Sequence, residues 1–388
     1  MKQRMIGKFE EIYGKGGEVS VYFAPGRANL IGEHTDYNGG HIFACTLTAG
    51  TYVAARRRPD NRFRFCSLNY PQSGVLDRAG DELDYRAEDD WGNYPKGVIR
   101  TFIAKGYSVE GGLDLLYYGE IPKGLGIGSS ASINVATGLI LRDLMGLENV
   151  TKVDIALFSA LAEGEYMKNG GGILDPFTVA MGKKDHAILL DTSDFSYSYA
   201  PLDLPHEKMI ITNSGKAREG LVERTLERRR ECDQALRELQ RVISINNLCE
   251  LTAEVFEQVQ EMIKSPVRVR RARHVVTENQ RTRQAVEAMK RGDIREFGQL
   301  MNASHLSLKE DHEVSCEELD VLVEEAWELD GVIGSRMMGA GYGGCTISIV
   351  EEDSVSEFIE KVGKNYTRRT GRRAEFYVVE SGDGATRL

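Results

Sequence analysis

Alternating apolar and polar positions mark the first third of the chain as strand-forming. Residues 18–24 (EVSVYFA) alternate with a period of two, and 51–55, 62–67 and 113–119 do the same. Two stretches, 130–144 and 152–167, instead repeat their apolar residues at three- and four-residue spacing, which predicts two amphipathic helices packed on that sheet. After residue 185 the order changes: 186–190 and 208–212 read as strands, then 221–239 as a charged helix. Helical spacing recurs at 250–263, 280–290, 294–306 and 316–328. A Gly-rich turn, a strand at 345–350, a helix near 355–366 and a strand at 374–379 complete the pattern. Clusters of strands followed by clusters of helices, without regular βαβ units, predict an α+β fold with helices on one face of antiparallel sheets.

No internal repeat interrupts this order. At roughly 150 residues per domain, 388 residues allow two or three domains or one two-lobed unit. The boundary is placed near 183–202, giving lobes 1–190 and 191–388. With 41% hydrophobic and 28% charged residues, the composition excludes disordered and fibrous classes. Lys and Arg total 49 against 59 for Asp and Glu, a formal charge of −10. That balance argues against nucleic acid or an anionic membrane as partner, so any phosphate site must be local. Basic runs at 56–58, 228–230 and 268–273 are flanked by acids or apolar positions and read as solvated faces. No apolar stretch approaches the ~18 residues of a membrane span, and the opening residues lack a signal-peptide core, so a cytoplasmic location is expected. Six dispersed cysteines with no C-x-x-C pair read as buried thiols. His305, Asp311 and His312 lack a metal-binding helical spacing.

Three clusters carry candidate chemistry. In 122–132 (PKGLGIGSSAS), Gly124, Gly126 and Gly128 allow a tight loop of backbone N–H groups, and the helix that follows points its positive end at the loop. This suits a phosphate, with Ser129, Ser130 and Ser132 adding oxygens; an ordinary turn capped by serine is the alternative. In 339–344, GAGYGG satisfies G-x-G-x-x-G, but a strand follows where a dinucleotide fold needs a helix, so a hairpin or lid loop against a ligand is expected. In 25–40 (PGRANLIGEHTDYNGG), Arg27, Glu33, His34 and Asp36 could bind a small polyol, although a solvated turn explains the same residues more cheaply.

Taken together, GRANLIGEHTDY (26–37), PKGLGIGSSAS and GAGYGGCT resemble the three ordered motifs of the galactokinases within the GHMP kinases (galactokinase, homoserine kinase, mevalonate kinase, phosphomevalonate kinase). The segments between them, including WGNYPKGV at 91–98, match as well. The resemblance implies a two-lobed α+β GHMP kinase fold, with ATP and sugar in the inter-lobe cleft. It implies an ATP-dependent sugar kinase that phosphorylates the anomeric C1 hydroxyl of galactose. Asp175 stands at the place of the family's base and Arg27 at that of its arginine. Ser130 and Glu163 fall at the magnesium positions, so Mg²⁺ is implied as cofactor and ATP as co-substrate. Gly124, Gly126, Gly128, Ser129 and Ser130 form the implied triphosphate cradle. Trp91 and Tyr94 form an adenine pocket, with core packing as the alternative for both rings. Glu33, His34, Asp36, Gly172 and Thr225 form the implied sugar site. Outside this context, Asp175 reads as a helix cap or Asx turn before Pro176, Arg27 as a surface ion pair and Glu163 as a solvated helix residue. A monomer or weak homo-oligomer is expected.

Departures from the family pattern gather at the sugar end. Where galactokinases carry C-G-I-M-D-Q, this chain has Gly171-Gly172-Ile173-Leu174-Asp175-Pro176. The proline removes a backbone donor and restricts Asp175. Thr225 replaces a sugar-contacting tyrosine, and Gly128 replaces a serine. Two alternatives follow: a kinase for a modified galactose such as N-acetylgalactosamine, or a non-catalytic sensor of galactose and ATP.

Overall fold

The computed structural model describes residues 1–121, 125–168 and 172–388. Helix α1 (Lys2–Tyr13) leads into β1 (Ser20–Ile31), β2 (His41–Arg58), β3 (Arg62–Ser67), β4 (Leu76–Ala79), α2 (Asn93–Ala104) and β5 (Gly112–Gly119). Then follow α3 (Ser129–Leu144), α4 (Lys152–Leu161), α5 (Leu174–Met181), β6 (His186–Asp191), β7 (Tyr197–Pro201) and β8 (Glu207–Asn213). The helices α6 (Leu221–Leu239), α7 (Ala253–Val259), α8 (Pro266–Lys290), α9 (Ile294–Glu310) and α10 (Glu317–Trp327) come next. The chain closes with β9 (Val332–Met338), β10 (Cys345–Glu351), α11 (Val355–Thr370), β11 (Glu375–Val379) and β12 (Thr386–Arg387).

The strands build two sheets, one per lobe, in an α+β architecture. The first has the order β12-β1-β2-β5-β3-β4, with β6 on β2 and β7 on β6. It is antiparallel except for the β3–β5 pair. The second is antiparallel throughout, in the order β11-β8-β10-β9. One core packs Tyr22, Val53 and Leu115 of the first sheet against Val98, Ile140, Ile155 and Phe177 of α2 to α5. A second lies between the lobes, where Leu30, Phe43 and Leu47 meet Ile211 and Ile347 of the second sheet and Val286 and Phe297 of α8 and α9.

Helices therefore cover more than one face of the first sheet. The unpredicted α1 lies on its other side through Met5 and Phe9, which pack against Val21, Ala54 and Leu116. Ile6, Ile12 and Tyr13 pack beside these two anchors, so α1 carries an apolar stripe at 5, 9, 12 and 13 that marks it as amphipathic. The helix expected over 250–263 is instead a helix of seven residues, α7, flanked by short 3-10 turns at Leu248–Glu250 and Gln260–Met262. The one expected over 152–167 ends at Leu161 and widens into a π-helical turn, Ala162–Tyr166. Helix α8 is far longer than its expected 280–290, because its first half buries Arg271, His274, Glu278 and Asn279, whose polarity hides the periodicity.

Two further features set up the site. The ladder between β1 and β2 slips between Pro25 and Arg27 and again between Asn29 and Ile31, and such bulges bend a strand and re-aim its side chains. The segment after β11 returns to the first lobe: Gly382 N donates to Thr46 O, Gly384 N to Gly182 O and Ala385 N to Val179 O. It then pairs with β1 as β12. Both β7 and β12 thus belong to the first sheet although they lie beyond residue 190.

The basic runs are not all solvated. Arg271 is buried and pairs with Glu231 and Glu313, and the largely buried Arg228 also reaches Glu231. Arg56 and Arg58 share the buried Asp114. The cysteines are free; all are buried except the half-buried Cys316. Among the described residues no helix is long and apolar enough to cross a membrane.

Candidate active site

At the β1 bulge Arg27 turns inward and meets Asp175 from α5. Its Nε donates to Asp175 Oδ1 at 2.7 Å and its Nη2 to Oδ2 at 2.8 Å, while Nη1 donates to Gly126 O at 2.6 Å. The fork-to-fork geometry fixes both groups and is among the stronger ion-pair arrangements. Burial acts to lower the Arg27 pKa, but Asp175 outweighs it and the value is raised. Arg27 is only 7% exposed, which corrects its reading as a surface pair, whereas the Asp175 side chain stays 29% open to the cleft. Asp175 is not a helix cap: Ile173 holds that position, and Asp175 lies inside the first turn. Pro176 follows in that turn, where its missing N–H has no intrahelical partner to lose.

The phosphate-cradle loop abuts this pair. Gly128, in the left-handed region at φ 78°, is the N-cap of α3. A Cβ there would stand 3.2 Å from Arg27 Cγ and 3.7 Å from Asp175 Oδ2. Gly126, Gly128, Ser129 and Ser130 line a cleft of about 470 Å³ together with Arg27 and Asp175. Gly124 lies outside the described residues, as does Gly171. Ser132 faces away, donating its hydroxyl to Ala24 O at 2.8 Å.

Glu163, carried by the π-helical turn, is buried rather than solvated and accepts from Asn134 Nδ2 at 3.0 Å. Burial, and then the nearby Asp175 charge, push its pKa up to about 7, while the Ser130 hydroxyl acts in the opposite direction. A buried carboxylate and a hydroxyl beside a phosphate cradle are hard oxygen donors of the kind Mg²⁺ takes. Among the described residues no three His, Cys, Asp or Glu could hold a metal alone, so such an ion would share its coordination with phosphate oxygens.

At the other end of the cleft the wall is aromatic, formed by Trp91, Tyr94, Tyr117 and Tyr70. Trp91 is both core and wall: it is 8% exposed and packs edge-on against Tyr117 at 5.4 Å between centroids. Buried Lys96 and Asp89 pair beneath it, and Arg78 also reaches Asp89.

Arg218 is a cleft residue that no motif announced. It comes from the loop after β8, and its Nε donates to Gly343 O at 3.3 Å. A Cβ at Gly126 would lie 2.7 Å from its terminal nitrogens, and one at Gly344 only 2.1 Å from Nη2. Two distant glycine loops thus leave room for one guanidinium. Its Nη2 is buried without a hydrogen-bond partner, and burial lowers its pKa.

The polyol candidates lie past the Arg27–Asp175 pair. Glu33 and His34 are 4% and 5% exposed, so the reading of a solvated turn is wrong. Glu33 Oε1 accepts from Gly339 N at 2.7 Å and stands 3.3 Å from Arg336 Nη2. The 339–344 loop is therefore the expected hairpin, joining β9 to β10 and seated on the polyol stretch. His34 Nδ1 pairs with Tyr37 OH at 2.9 Å, and Tyr37 OH reaches His312 Nε2 at 3.2 Å. A Cβ on Gly172 would lie 3.0 Å from Asp36 Oδ2. Burial raises the Asp36 pKa to about 6, with its neighbours Glu33 and Asp175 adding to the rise. Thr225 is half-buried on α6 with its Oγ1 unpartnered; like Glu33, His34, Asp36 and Gly172 it lies outside the cleft lining given above.

Comparison with known proteins joins these parts. The galactokinase galactose-binding signature matches residues 7–57, the GHMP kinases N terminal domain 93–183 and the GHMP kinases C terminal domain 285–368. Galactokinase of Clostridium acetobutylicum is 50% identical over 381 residues, covering 98% of this chain and 97% of the relative. That of Fusobacterium nucleatum subsp. nucleatum is 47% identical over 389 residues, covering all of both chains. The chain belongs to the galactokinase family of the GHMP kinases. It is a sugar kinase, a transferase. The crystal structure of Lactococcus lactis galactokinase complexed with galactose superposes with a TM-score of 0.96 at 40% identity, covering 100% of this chain and 99% of that one. Within the galactokinase family fold, Methanococcus jannaschii mevalonate kinase, at 16% identity and a TM-score of 0.64, shares the architecture alone.

Proposed function

We propose that this chain transfers the γ-phosphoryl group of ATP to the C1 hydroxyl of galactose, giving galactose 1-phosphate and ADP. The observation that carries the reading is the Arg27–Asp175 pair standing at the mouth of the glycine cradle. Asp175, open to the cleft, accepts the proton of the C1 hydroxyl as the sugar oxygen attacks phosphorus. Arg27 holds the carboxylate in line and offsets charge developing on the oxygen and the phosphoryl group. The cradle N–H groups at Gly126 to Ser130 receive the phosphates, and the unpartnered Nη2 of Arg218 supplies a further donor to them. Trp91 and Tyr94 hold the base. Ser130 and Glu163 would hold Mg²⁺, which neutralises phosphate charge when bound. Glu33, His34, Asp36 and Gly172 form the sugar end, with Thr225 at its periphery.

The alternatives have no observation in their favour. Of the departures behind the modified-sugar alternative, Gly171 lies outside the described residues, and nothing at Thr225 favours an N-acetyl group over a hydroxyl. A sensor has no need of a base locked into a bidentate pair. We also retain 1–190 and 191–388 as the lobes, with β7 and β12 crossing between them, and a cytoplasmic monomer or weak homo-oligomer as the working form. A panel of galactose, N-acetylgalactosamine and glucose with Mg-ATP, read by ADP release, tests the reading. Galactose-dependent ADP release is expected; turnover only with N-acetylgalactosamine, or binding without turnover, refutes it.

A further inference from the structure

We infer that the buried polar face of α8 positions the sugar-binding stretch, and that Glu278 and His274 are positioning residues for acceptor affinity without touching the sugar. The inference rests on the sugar site proposed above. Three residues of α8 grip the connection between β1 and β2 at both ends. Glu278 Oε1 accepts from Gly32 N at 3.0 Å, His274 Nε2 meets Glu33 O at 3.1 Å, and Asn279 Oδ1 accepts from His41 N at 2.8 Å. Positions 274 and 278 are four apart and share one face of the helix, while Asn279, a step round from it, reaches the far end of the connection.

The chemistry of the grip is specific. Glu278 is fully buried, yet its pKa is lowered to about 2: burial pushes it up, and the guanidiniums of Arg281 and Arg336 with the Ser304 hydroxyl act against that. It is an acceptor with three donors, Gly32 N–H, the Ser304 hydroxyl at 2.6 Å and Arg281 Nε at 2.9 Å. A glutamine there offers one acceptor oxygen and places an NH₂ against one of these donors. Glu33 O can only accept, so His274 Nε2 carries the proton; Nδ1 lies 2.9 Å from the Ser307 hydroxyl, which also reaches Asp311 Oδ2 at 3.2 Å. Gly32 itself sits at φ 98°, where a Cβ would come within 2.6 Å of His41 O. The residue whose N–H is held is thus followed directly by Glu33 and His34.

The test is the split between the two substrates. Glu278→Gln is expected to raise the KM for galactose about tenfold or more, with KM for ATP within about twofold and kcat within about threefold. The thermal shift given by galactose should shrink while that given by ATP persists. His274→Leu should behave similarly, and His274→Gln, which keeps an N–H donor for Glu33 O, should recover most of the galactose affinity. A galactose KM unchanged in Glu278→Gln, or both KM values and activity changing together with the folded fraction, overturns the inference. If Glu278→Gln does not fold, the His274 pair decides: equal galactose KM in the Leu and Gln variants overturns it. Absence of galactose turnover by the parent protein would instead refute the proposed function, so the two failures are distinguishable.

Discussion

The two ends of the cleft are built by different means. At the nucleotide end the backbone does most of the work: glycines at 126 and 128 and the start of α3 present N–H groups, and Arg218 fits because glycines at 126 and 344 leave it room. At the sugar end, buried side chains do it, with Glu33 and His34 packed against Arg336, Tyr37 and the polar face of α8. A phosphate can be received by any well-placed row of N–H groups, whereas a polyol is recognised by donors and acceptors whose directions must each be fixed. The sugar end therefore leans on buried side chains of the second lobe, whereas the nucleotide end takes from that lobe one guanidinium and the glycine loop beside it.

The sharpest way to break this division is at the point where the ends meet. Asp175→Ala should lower kcat by about 10³-fold or more while ATP affinity, measured by titration, stays within a few-fold; retained turnover would remove Asp175 as base. Next in size, Arg218→Ala should lower kcat/KM for ATP by about 10²-fold and leave galactose binding little changed. Equal loss toward both substrates would place Arg218 in the structure rather than on the phosphates.

A pH experiment sharpens the comparison further, because the buried histidines cluster at the sugar end. His312 lies between His34 and His274, its tilted ring 4.6 Å from each between centroids. Burial is the largest cause in each case: it lowers His34 to about 4, His274 to about 3 and His312 well below the ordinary value of 6.5. The charged groups that act on them are Glu33, Glu278, Arg228, Arg271, Arg281 and Arg336. With folded values depressed, the unfolded chain takes up protons that the folded chain refuses. Stability is therefore complete above about pH 6.5 and is lost as pH falls towards 3, by about 1.4 kcal/mol per pH unit for each histidine. Denaturant melts of His312→Asn should show a shallower decline between about pH 6.5 and 5 than the parent. The smallest effect is expected at Thr225, whose hydroxyl has no hydrogen-bond partner to lose and where alanine should change galactose KM by less than about threefold.

What could be read beforehand follows the same line. The Gly126–Ser130 and Gly339–Gly344 loops were legible because tight backbone geometry demands glycine wherever it occurs. Arg27 and Asp175 were legible only through family resemblance, since nothing local joins a strand bulge to a helix 148 residues away. Arg218 left no signal, because the glycines that admit it lie in other loops. The α8 face was hidden for an opposite reason: a helix that buries Arg271, His274 and Glu278 shows no apolar stripe, so only its second half matched a helical pattern. The polar density at 33–36 looked like solvent-facing turn because the partners that permit its burial come from residues 274–339.

One feature bears on how the molecule is made. The amides of Gly384 and Ala385 complete the C-terminal end of α5, the helix that bears Asp175, and Thr386–Arg387 close the edge of the first sheet. A ribosome must release the chain past residue 387 before these partners exist. Nascent chains cut after Gly344 but before Gly384 carry all three glycine-bearing motifs yet lack these amides, leaving the last carbonyls of α5 to water.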